Sequence, residues 1–475
     1  MTASLSHGNH EIVTMQQQLR QQQTAFLANP MPLLDHRLHQ LNKLKTALLN
    51  HQQALCEALH QDYDHRSQYD TLISDILPCL QQLKYTKKNL NKWLKPSKRH
   101  AGLLLAPAKV RVEYQPLGVI GIMVPWNFPV MLSISPLITA LAAGNRAMIK
   151  LSEFTPHTNA ILTQLLTEAF SDEEVATVEG ESTIASAFSA LPFDHLLFTG
   201  STQVGHHVMK AAAEHLTPVT LELGGKSPVL VAADISMKEA VQKLIYGKCL
   251  NAGQICVAPD YVLLPKGKTT EFVSAYQQQF AAMYPQGANS PDYTAVINQH
   301  HYQRLQQWCQ QAQQGGAHVI PAHTISHNDE QQKMVTHLVT NPADDMTVMQ
   351  QEIFGPLLPI IEYEDIDQAI SYVQQRPRPL ALYVFSHNKA LQQRIVEHTH
   401  SGGVCINETL VHVSAEDAPF GGIGPSGMGH YHGHEGFLTF SKAKTILQRG
   451  KFYPTRLMMP PYGWLHRLTM KLFLR

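Results

Sequence analysis

The alternation of strand-like and helix-like segments between residues 116 and 225 is the feature that most limits how this chain can fold. Short apolar runs such as "RAMIKLS" and "DHLLFTG" alternate with longer segments such as "TPHTNAILTQLLTEAF", whose apolar residues recur at helical spacing. Strands joined by helical crossovers pair in parallel, since each crossover returns the chain to the same end of the sheet. The sequence therefore predicts an α/β fold with a doubly wound, Rossmann-like parallel sheet.

The segments outside this alternation predict further layers. Helical periodicity runs through roughly residues 1–97, which we expect to form a helical layer. The stretch "AKVRVEYQPLGVIGIMVPW" predicts two strands, and its second half is typical of a strand buried on both faces. A second series of α/β units runs from "PVLVAADI" to "PLALYVFS", beginning where Gly224 and Gly225 interrupt the first.

Composition excludes several classes of protein. Lys plus Arg and Asp plus Glu are balanced at 37 each among 475 residues, which argues against a nucleic-acid-binding protein. The six cysteines are scattered with no C-x-x-C pair, as is typical of a reducing compartment. The sequence shows neither a signal-peptide pattern nor an apolar run of about 20 residues that would span a bilayer. We therefore expect a cytoplasmic protein.

The tail "WLHRLTMKLFLR" differs from the rest of the chain. Arg467, Lys471 and Arg475 recur at every fourth position, and apolar residues fill much of the remainder. This pattern predicts a basic amphipathic helix. Such a helix either docks on the body of the protein or on a neighbouring subunit, or contacts a membrane surface.

Three residues are candidates for chemistry. Cys256 lies in "NAGQICVAPDY", which is typical of a loop that exposes a thiol to a cavity, although a buried packing cysteine is the ordinary alternative. Glu222 ends an apolar strand between two leucines, where burial would raise its pKa towards that of a general base. Asn127 lies in the rigid turn "PWNFP" and could donate to a developing oxyanion, or simply form the turn.

A second group of residues predicts a phosphate and ribose site. "FTGSTQVG" runs from a strand directly into a helix, whose N-terminal N–H groups at Gly200, Ser201 and Gly205 could bind a pyrophosphate. Lys150 and Glu153 end the neighbouring strand in "MIKLSEF", where they could hold ribose hydroxyls.

Other residues carry no functional hypothesis. His430, His432 and His434 alternate without the cysteine or carboxylate partners of a metal site, so we expect no metal. Cys249 precedes Cys256 by seven residues, and packing is its expected role.

Seven motifs stand in the order and spacing of the aldehyde dehydrogenase superfamily, and the resemblance covers roughly residues 30–450. They are "PWNFP", "KLSE", "FTGSTQVG", "LELGGKSP", "NAGQICVAPDY", "QEIFGP" and "GGIGPSGMGHYHG". The "APDY" ending resembles the class 3 branch, and "VEYQPLGVIG", "RPRPLALY" and "HYHGHEGFLTFSKAK" resemble coniferyl aldehyde dehydrogenases within it. Leu151 is a departure, because the family usually has proline there.

The resemblance implies an oxidation of an aromatic or medium-chain aldehyde to its acid, with NAD as cofactor and NADP as a possible substitute. It implies that Cys256 is the nucleophile, that Asn127 and the Cys256 N–H bind the oxyanion, and that Glu222 activates the hydrolytic water. The cofactor-binding set that it implies comprises Trp126, Lys150, Glu153, Gly200, Ser201, Gly205, Glu352 and Phe354. The alternative from another class is a cysteine-dependent hydrolase or acyltransferase with a histidine base.

The expected domains follow from the same resemblance. An NAD-binding domain takes residues 1–97, 116–221 and 405–437, and a catalytic domain takes 222–404. Residues 98–115 and 438–455 form a small bridging sheet for oligomerisation, and 456–475 form the amphipathic tail. An exposed strand edge requires a partner, and class 3 relatives are dimers, so we expect a homodimer.

Overall fold

In a computed structural model that describes residues 2–102, 105–451 and 459–474, the chain begins with a helical layer. Its helices are α1 (Thr2–Ala28), α2 (Leu34–Asp62), α3 (Gln68–Thr71) and α4 (Leu77–Trp93). A π-helical turn, Leu72–Ile76, joins α3 to α4. The layer ends a few residues before the predicted limit of 97, because Pro96 disfavours helical backbone at the residue before it. Strand β1 (Ser97–Arg99) follows.

The first α/β series follows the predicted order of strands and helices. It comprises β2 (Lys109–Pro116), β3 (Val119–Met123), α5 (Pro129–Ala143), β4 (Arg146–Lys150), α6 (Pro156–Ala169), β5 (Val175–Val178), α7 (Ser182–Ser189), β6 (His195–Thr199), α8 (Thr202–Ala212) and β7 (Val219–Glu222).

The second series also lies where the sequence predicts it. It comprises β8 (Pro228–Val231), α9 (Met237–Cys249), β9 (Tyr261–Pro265), α10 (Thr269–Met283), α11 (Gln299–Gln314), β10 (His318–Pro321), β11 (His327–Asn328), β12 (Lys333–Met334), β13 (His337–Thr340), α12 (Thr347–Gln350), β14 (Leu357–Tyr363), α13 (Ile366–Gln374), β15 (Ala381–Phe385), α14 (Lys389–His398) and β16 (Gly403–Ile406). The chain then returns through β17 (Gly427–Met428), α15 (Gly433–Thr439) and β18 (Ser441–Gln448) to the terminal helix α16 (Trp464–Phe473).

The first sheet is doubly wound, as the sequence predicts. Its strand order is β17-β7-β6-β3-β4-β5, and its strands are parallel apart from β17. Ile120 and Ile122 of β3 pack into the core that includes α2, α4, α5 and α6. Val119 and Met123 of the same strand pack into the core that includes α1, α7 and α8. Both faces of the sheet are therefore covered, which explains why β3 is apolar without alternation.

The second sheet has the order β10-β13-β14-β9-β8-β15-β16, with β10 antiparallel at one edge. Strand β16 pairs in parallel with β15 along its whole length, Ala381 with Gly403 through Val384 with Ile406. The expected division between residues 404 and 405 therefore cuts through a strand of this sheet. The motif "SGGVCIN" has its β-branched pattern on both sides of that division, so the sheet edge and not the motif decides where the segment belongs.

The third sheet joins distant parts of the chain. Its order is β1-β2-β18, and β18 pairs antiparallel with β2 from Ser441 opposite Pro116 to Gln448 opposite Lys109. Most of the β18 side chains are exposed. These strands occupy the two segments that the sequence assigns to a bridging sheet; part of the second segment, residues 452–455, lies outside the described residues.

The terminal helix α16 forms where the amphipathic sequence predicts it, and its described apolar side chains are exposed. Trp464 is 69% exposed and Leu468 is 61% exposed. Arg475, the last basic residue of the predicted pattern, lies outside the described residues. Across the described ranges, no helix is both long enough and apolar enough to cross a membrane.

Candidate active site

The parallel arrangement of the first sheet brings four predicted motifs to one edge. Strands β3, β4, β6 and β7 run in the same direction, so the residues that follow Met123, Lys150, Thr199 and Glu222 all emerge at their carboxyl ends. Ligands of open α/β sheets bind in the crevice at that edge. The sheet therefore places Asn127, the Lys150–Glu153 segment, the Gly200–Gly205 turn and Glu222 around one crevice.

The loop that carries Cys256 is an unusual backbone turn. Asn251, Ala252 and Gly253 all have left-handed conformations, with φ values of 49°, 53° and 74°. A Cβ on Gly253 would lie 2.7 Å from the carbonyl oxygen of Gly355, so glycine is required by space as well as by φ. This turn ends the helical segment before Cys256, as the sequence predicts for an exposed loop.

Gln254 anchors the turn from within the protein. Its amide nitrogen donates to the carbonyl oxygens of Asn251 (2.9 Å) and Ala295 (3.0 Å), and its amide oxygen accepts from the Ile297 N–H (3.0 Å). The fully satisfied, buried amide holds the chain rigid two residues before Cys256. Cys256 is partly exposed, whereas the other five cysteines are buried.

Asn127 lies against the same loop. Its side-chain Nδ2 donates to the carbonyl oxygen of Gln254 (3.2 Å). Its own carbonyl oxygen accepts from the Tyr63 hydroxyl (3.2 Å), Arg66 Nη1 (2.8 Å) and Asn251 Nδ2 (3.2 Å). Asn127 is thus held beside the Cys256 loop by its side chain as well as by its main chain.

A buried ion pair completes this anchor, and sequence patterns do not reveal it. Arg66 Nη2 lies 2.8 Å from Asp75 Oδ2, and both side chains are 0% exposed. Asp75 Oδ1 also accepts from the N–H groups of Val130 (3.2 Å) and Met131 (3.0 Å) in the first turn of α5. The pair therefore ties the α3–α4 region to the middle of the "PWNFP" turn and to the start of α5. An arginine and an aspartate nine residues apart in a helical region give no signal of this role.

Glu222 is buried at the end of β7. Neither of its carboxyl oxygens has a hydrogen-bond partner among the described residues. Burial raises the pKa of Glu222 well above its ordinary value, as the flanking Leu221 and Leu223 lead us to expect. An unpartnered, buried carboxyl with a raised pKa is typical of a group that exchanges protons with a ligand.

Glu352 approaches the same place from the "QEIFGP" motif. Its carboxyl lies over Gly224, where a Cβ would collide with it, and it accepts from the Gly225 N–H. Burial, with a further contribution from Asp260, raises the pKa of Glu352 to about 8. The two glycines after Glu222 therefore allow this carboxyl to approach the end of β7.

The thiol of Cys256 is held in its protonated form by its surroundings. Burial raises its pKa to about 12, and the charges of Glu352 and Glu222 add to the increase. The N–H groups of Cys256 and Val257 act in the opposite direction. The protein alone therefore does not supply the lowered pKa that would make a free thiolate, and a nearby proton acceptor is needed.

The residues expected to bind a dinucleotide lie at the same crevice and offer polar groups to it. Ser201 is the N-cap of α8, and its hydroxyl accepts from the Val204 N–H (3.3 Å). Lys150 Nζ lies 3.2 Å from Glu153 Oε2, and the buried Thr199 hydroxyl has no partner in the described part of the chain. A helix N-terminus for phosphate beside a lysine–carboxylate pair for hydroxyls fits a dinucleotide.

Other residues of these motifs have packing or hydrogen-bonding roles at the site. A Cβ on Gly205 would lie 2.8 Å from a Leu223 methyl, so its glycine lets α8 pack closely on the sheet. Leu151 donates its N–H to the Val178 carbonyl oxygen (2.9 Å), a bond that the family's usual proline lacks. The rings of Trp126 and Phe354 meet edge to face, with centroids 5.3 Å apart.

Asp260, in the "APDY" ending, has a structural role that the sequence does not indicate. It pairs with Lys226, and its Oδ2 accepts from the Ile353 N–H (2.9 Å). Lys226 also donates to the carbonyl oxygens of Val348 (2.8 Å) and Gln351 (3.0 Å). The pair joins the "LELGGKSP", "NAGQICVAPDY" and "QEIFGP" motifs, which explains how Glu222, Cys256 and Glu352 are brought together.

Three of the residues that carry no functional hypothesis have structural partners: Cys249, His430 and His434. The Cys249 thiol is buried 3.8 Å from the hydroxyls of both Tyr276 and Thr336, in agreement with a packing role. His430 bonds the Phe420 carbonyl oxygen, and His434 stacks on Phe437.

Comparisons with known proteins concern the family and the fold of this chain. The model of the aldehyde dehydrogenase family matches residues 15–446. A probable coniferyl aldehyde dehydrogenase of Pseudomonas aeruginosa is 52% identical over 100% of this chain and 99% of its own. A coniferyl aldehyde dehydrogenase of a Pseudomonas species is 44% identical over 90% of each chain. A Staphylococcus aureus AldH solved in a substrate-bound state is 35% identical, with a TM-score of 0.92 over 97% of this chain and 99% of that one.

Proposed function

The chain belongs to the aldehyde dehydrogenase family, and from this premise we propose that it oxidises an aromatic aldehyde of the coniferyl type to the carboxylic acid. The observation that carries the assignment of roles is the convergence of Cys256, Asn127 and Glu222 at one crevice. The two relatives named for coniferyl aldehyde, at 52% and 44% identity, support the substrate class.

We assign the nucleophile to Cys256. The thiol adds to the aldehyde carbon and forms a thiohemiacetal. Since burial and two carboxyls oppose a free thiolate, the thiol loses its proton as the sulfur–carbon bond forms. Glu222 and Glu352 are the ionisable groups whose charges act on this thiol, and Glu222 has both oxygens free of protein partners in the described ranges. Because Cys256 is partly exposed, the thiol proton passes to solvent water, and Glu222 remains available as the base for the later hydrolysis.

The oxyanion that forms in this step needs a donor. Asn127 Nδ2 lies beside the Cys256 loop, 3.2 Å from the Gln254 carbonyl oxygen, and its second hydrogen can turn to the substrate oxygen. The Cys256 N–H is the second donor. Because both donors are held by bonds elsewhere, they need no rearrangement when charge develops on the oxygen.

A nicotinamide dinucleotide, when bound, supplies the hydride acceptor. Lys150 and Glu153 would hold the adenosine ribose, the N-terminal turn of α8 at Gly200, Ser201 and Gly205 would hold the pyrophosphate, and Glu352 would hold the nicotinamide ribose. Phe354 would also hold the nicotinamide ribose, and Trp126, whose ring meets Phe354 edge to face, would line the same part of the site. After hydride loss the acyl group remains on Cys256 as a thioester, and ionised Glu222 removes a proton from the water that hydrolyses it.

The hydrolase alternative has weaker support. It requires a histidine base for the thiol, whereas the groups that act on the Cys256 pKa are carboxyls. It also leaves the α8 turn and the Lys150–Glu153 pair without a use.

The test is the formation of reduced cofactor by the purified protein with NAD and coniferyl aldehyde, with Cys256→Ser as the control. We expect steady formation with the wild type and none with the variant. Release of the acid without reduction of cofactor would favour the hydrolase instead.

NAD is the proposed cofactor in preference to NADP. Glu153 is positioned to accept from a ribose 2′-hydroxyl and would repel a 2′-phosphate. We expect a higher kcat/KM with NAD, and a relative gain for NADP in Glu153→Gln. A wild-type preference for NADP would contradict this assignment.

We propose further that the protein is a cytoplasmic homodimer. The six free cysteines suit a reducing compartment. Strand β18 lies at the edge of its sheet with a mostly exposed surface, which a second copy would cover. Light scattering coupled to gel filtration should give twice the chain mass; a monomer at micromolar concentration would refute the dimer.

The tail helix α16 is proposed to make weak contacts with a membrane surface. Its apolar Trp464 and Leu468 are exposed beside Arg467 and Lys471, a pattern that suits anionic lipid. Sedimentation with anionic vesicles should decrease when residues 464–475 are removed, and neutral vesicles are the control. Equal sedimentation of both forms would exclude the contact.

A further inference from the structure

The pocket beside Cys256 is mainly apolar, with a small polar region in its wall. Its apolar lining includes Phe128, Met131, Leu132, Ile255, Leu410 and Val413. The polar Gln82 and Ser135 also line it, but they satisfy each other, since the Gln82 amide donates to the Ser135 carbonyl oxygen (3.0 Å) and accepts from the Ser135 hydroxyl. These two residues are therefore not available for a ligand.

Glu416 and His432 line the same pocket, but they do not form a hydrogen bond with each other. Glu416 Oε2 and His432 Nδ1 lie 3.8 Å apart, which is too long for a hydrogen bond. Glu416 Oε2 and both ring nitrogens of His432 have no hydrogen-bond partner within the described ranges. The His432 side chain is only 5% exposed. Because an unpaired buried polar group is costly, such a cluster indicates a group that becomes paired on binding.

The cluster is held rigidly in place. The His432 ring stacks on Phe420 with centroids 6.0 Å apart and meets Tyr431 edge to face at 5.4 Å. The next residue, Gly433, has φ of 64°, and a Cβ there would collide with the Glu416 carbonyl oxygen. The chain therefore brings these two residues together at a close crossing that glycine alone permits.

The position of Tyr431 relates the cluster to the reacting thiol. Its buried hydroxyl has a raised pKa, to which the charges of Glu222, Cys256 and Glu416 all contribute. Cys256 and Tyr431 line the same pocket as the cluster, so a ligand that fills this pocket contacts both the thiol and the cluster.

We propose that Glu416 and His432 recognise a hydroxyl group on the aromatic ring of the aldehyde. The hydroxyl donates to Glu416 Oε2 and accepts from the ring N–H of His432, so that one ligand atom fills the gap between them. This inference rests on the proposed oxidation of aromatic aldehydes and specifies which of them are preferred, namely those with a phenolic hydroxyl.

The ionisation of the two residues agrees with this role. Burial lowers the pKa of His432 to about 4, so at neutral pH the ring is uncharged and retains one donor N–H. Burial raises the pKa of Glu416 to about 7.

The test compares kcat/KM for coniferyl aldehyde, for its methyl ether at the phenolic oxygen, and for unsubstituted cinnamaldehyde. The variants are His432→Phe, which keeps the ring stacked on Phe420, and Glu416→Leu, with Glu416→Gln as the milder change. Ser414→Ala is the matched control, because Ser414 lines the same pocket and has no part in the cluster. Cinnamaldehyde reports whether each variant is correctly folded.

We expect the wild type and Ser414→Ala to prefer coniferyl aldehyde over its ether by about tenfold or more, as for a hydrogen bond to a charged group. The ratio should fall towards one in His432→Phe and Glu416→Leu and to an intermediate value in Glu416→Gln, while the rate with cinnamaldehyde is maintained. A wild-type ratio near one, or an unchanged ratio in the Glu416 variants, would overturn the inference even if all three aldehydes are oxidised. Oxidation of hexanal but of none of the three would instead refute the proposed function.

Discussion

Replacing Asp75 by asparagine should both destabilise the protein and slow its reaction. Asp75 accepts three hydrogen bonds, from Arg66 Nη2 (2.8 Å), the Val130 N–H (3.2 Å) and the Met131 N–H (3.0 Å). Asparagine has one acceptor oxygen and an NH₂ group that would face one of these donors. The fully buried Arg66 then loses the carboxylate that pairs with it directly.

The expected loss is large because the pair is desolvated. Removing one member of a buried pair costs about 3–5 kcal/mol, since the remaining charge stays buried without compensation. Activity should fall as well, because Arg66 also bonds the carbonyl oxygen of Asn127 (2.8 Å) and so positions the oxyanion donor. Stability is measured by urea unfolding followed by circular dichroism, and activity by kcat and KM on the folded fraction.

The control is Asp367→Asn, which breaks another aspartate–arginine pair. Asp367 pairs with Arg394, but these side chains are 66% and 46% exposed. Exposed pairs contribute less than about 1 kcal/mol. Equal unfolding midpoints for the two variants would refute the importance of burial. A destabilised Asp75→Asn protein with normal kcat would refute the link from the pair to Asn127.

Four further predictions concern the reacting residues and their loop. Cys256→Ser should abolish reduction of cofactor while leaving the unfolding curve unchanged; residual turnover would exclude Cys256 as the nucleophile. Glu222→Gln should give one burst of reduced cofactor followed by slow turnover, and full steady-state turnover would remove Glu222 from thioester hydrolysis. Because burial raises the Glu222 pKa, wild-type turnover should continue to increase at pH values above the ordinary carboxyl pKa, as Glu222 becomes ionised. A turnover rate that does not change with pH above the ordinary carboxyl pKa would contradict the role of Glu222 as the base. Gly253→Ala should lower the melting temperature far more than Gly267→Ala. Both glycines have φ near 75°, but only Gly253 faces Gly355. Equal changes in melting temperature would show that the contact with Gly355 does not matter.

The order of elements was predictable because it depends on local patterns. Helical spacing, apolar runs and the turns at "FTGSTQVG" and "LELGG" are properties of neighbouring residues, and the strands and helices formed where they occur. The direction of the Glu222 pKa shift was predictable for the same reason, since leucines flank it in sequence.

Other features depended on residues that are distant in the chain. The strand β16, which spans the expected division at residue 404, is placed by its pairing with β15. The helix α16 has the predicted pattern, but the exposure of its described apolar side chains depends on tertiary packing. The raised pKa of Cys256 arises from burial and from Glu222 and Glu352, which the local loop does not contain.

The sequence by itself determined the fold class, the family and the identity of the candidate reacting residues, because these follow from short motifs in a set order. The tertiary structure alone decided how those residues are held: Arg66 with Asp75 behind Asn127, and Lys226 with Asp260 between the three motifs. It also decided that Glu416 and His432 meet in the substrate pocket. Such pairs depend on burial and charge and leave no periodic pattern along the chain. Their pairing is therefore seen only in the folded structure.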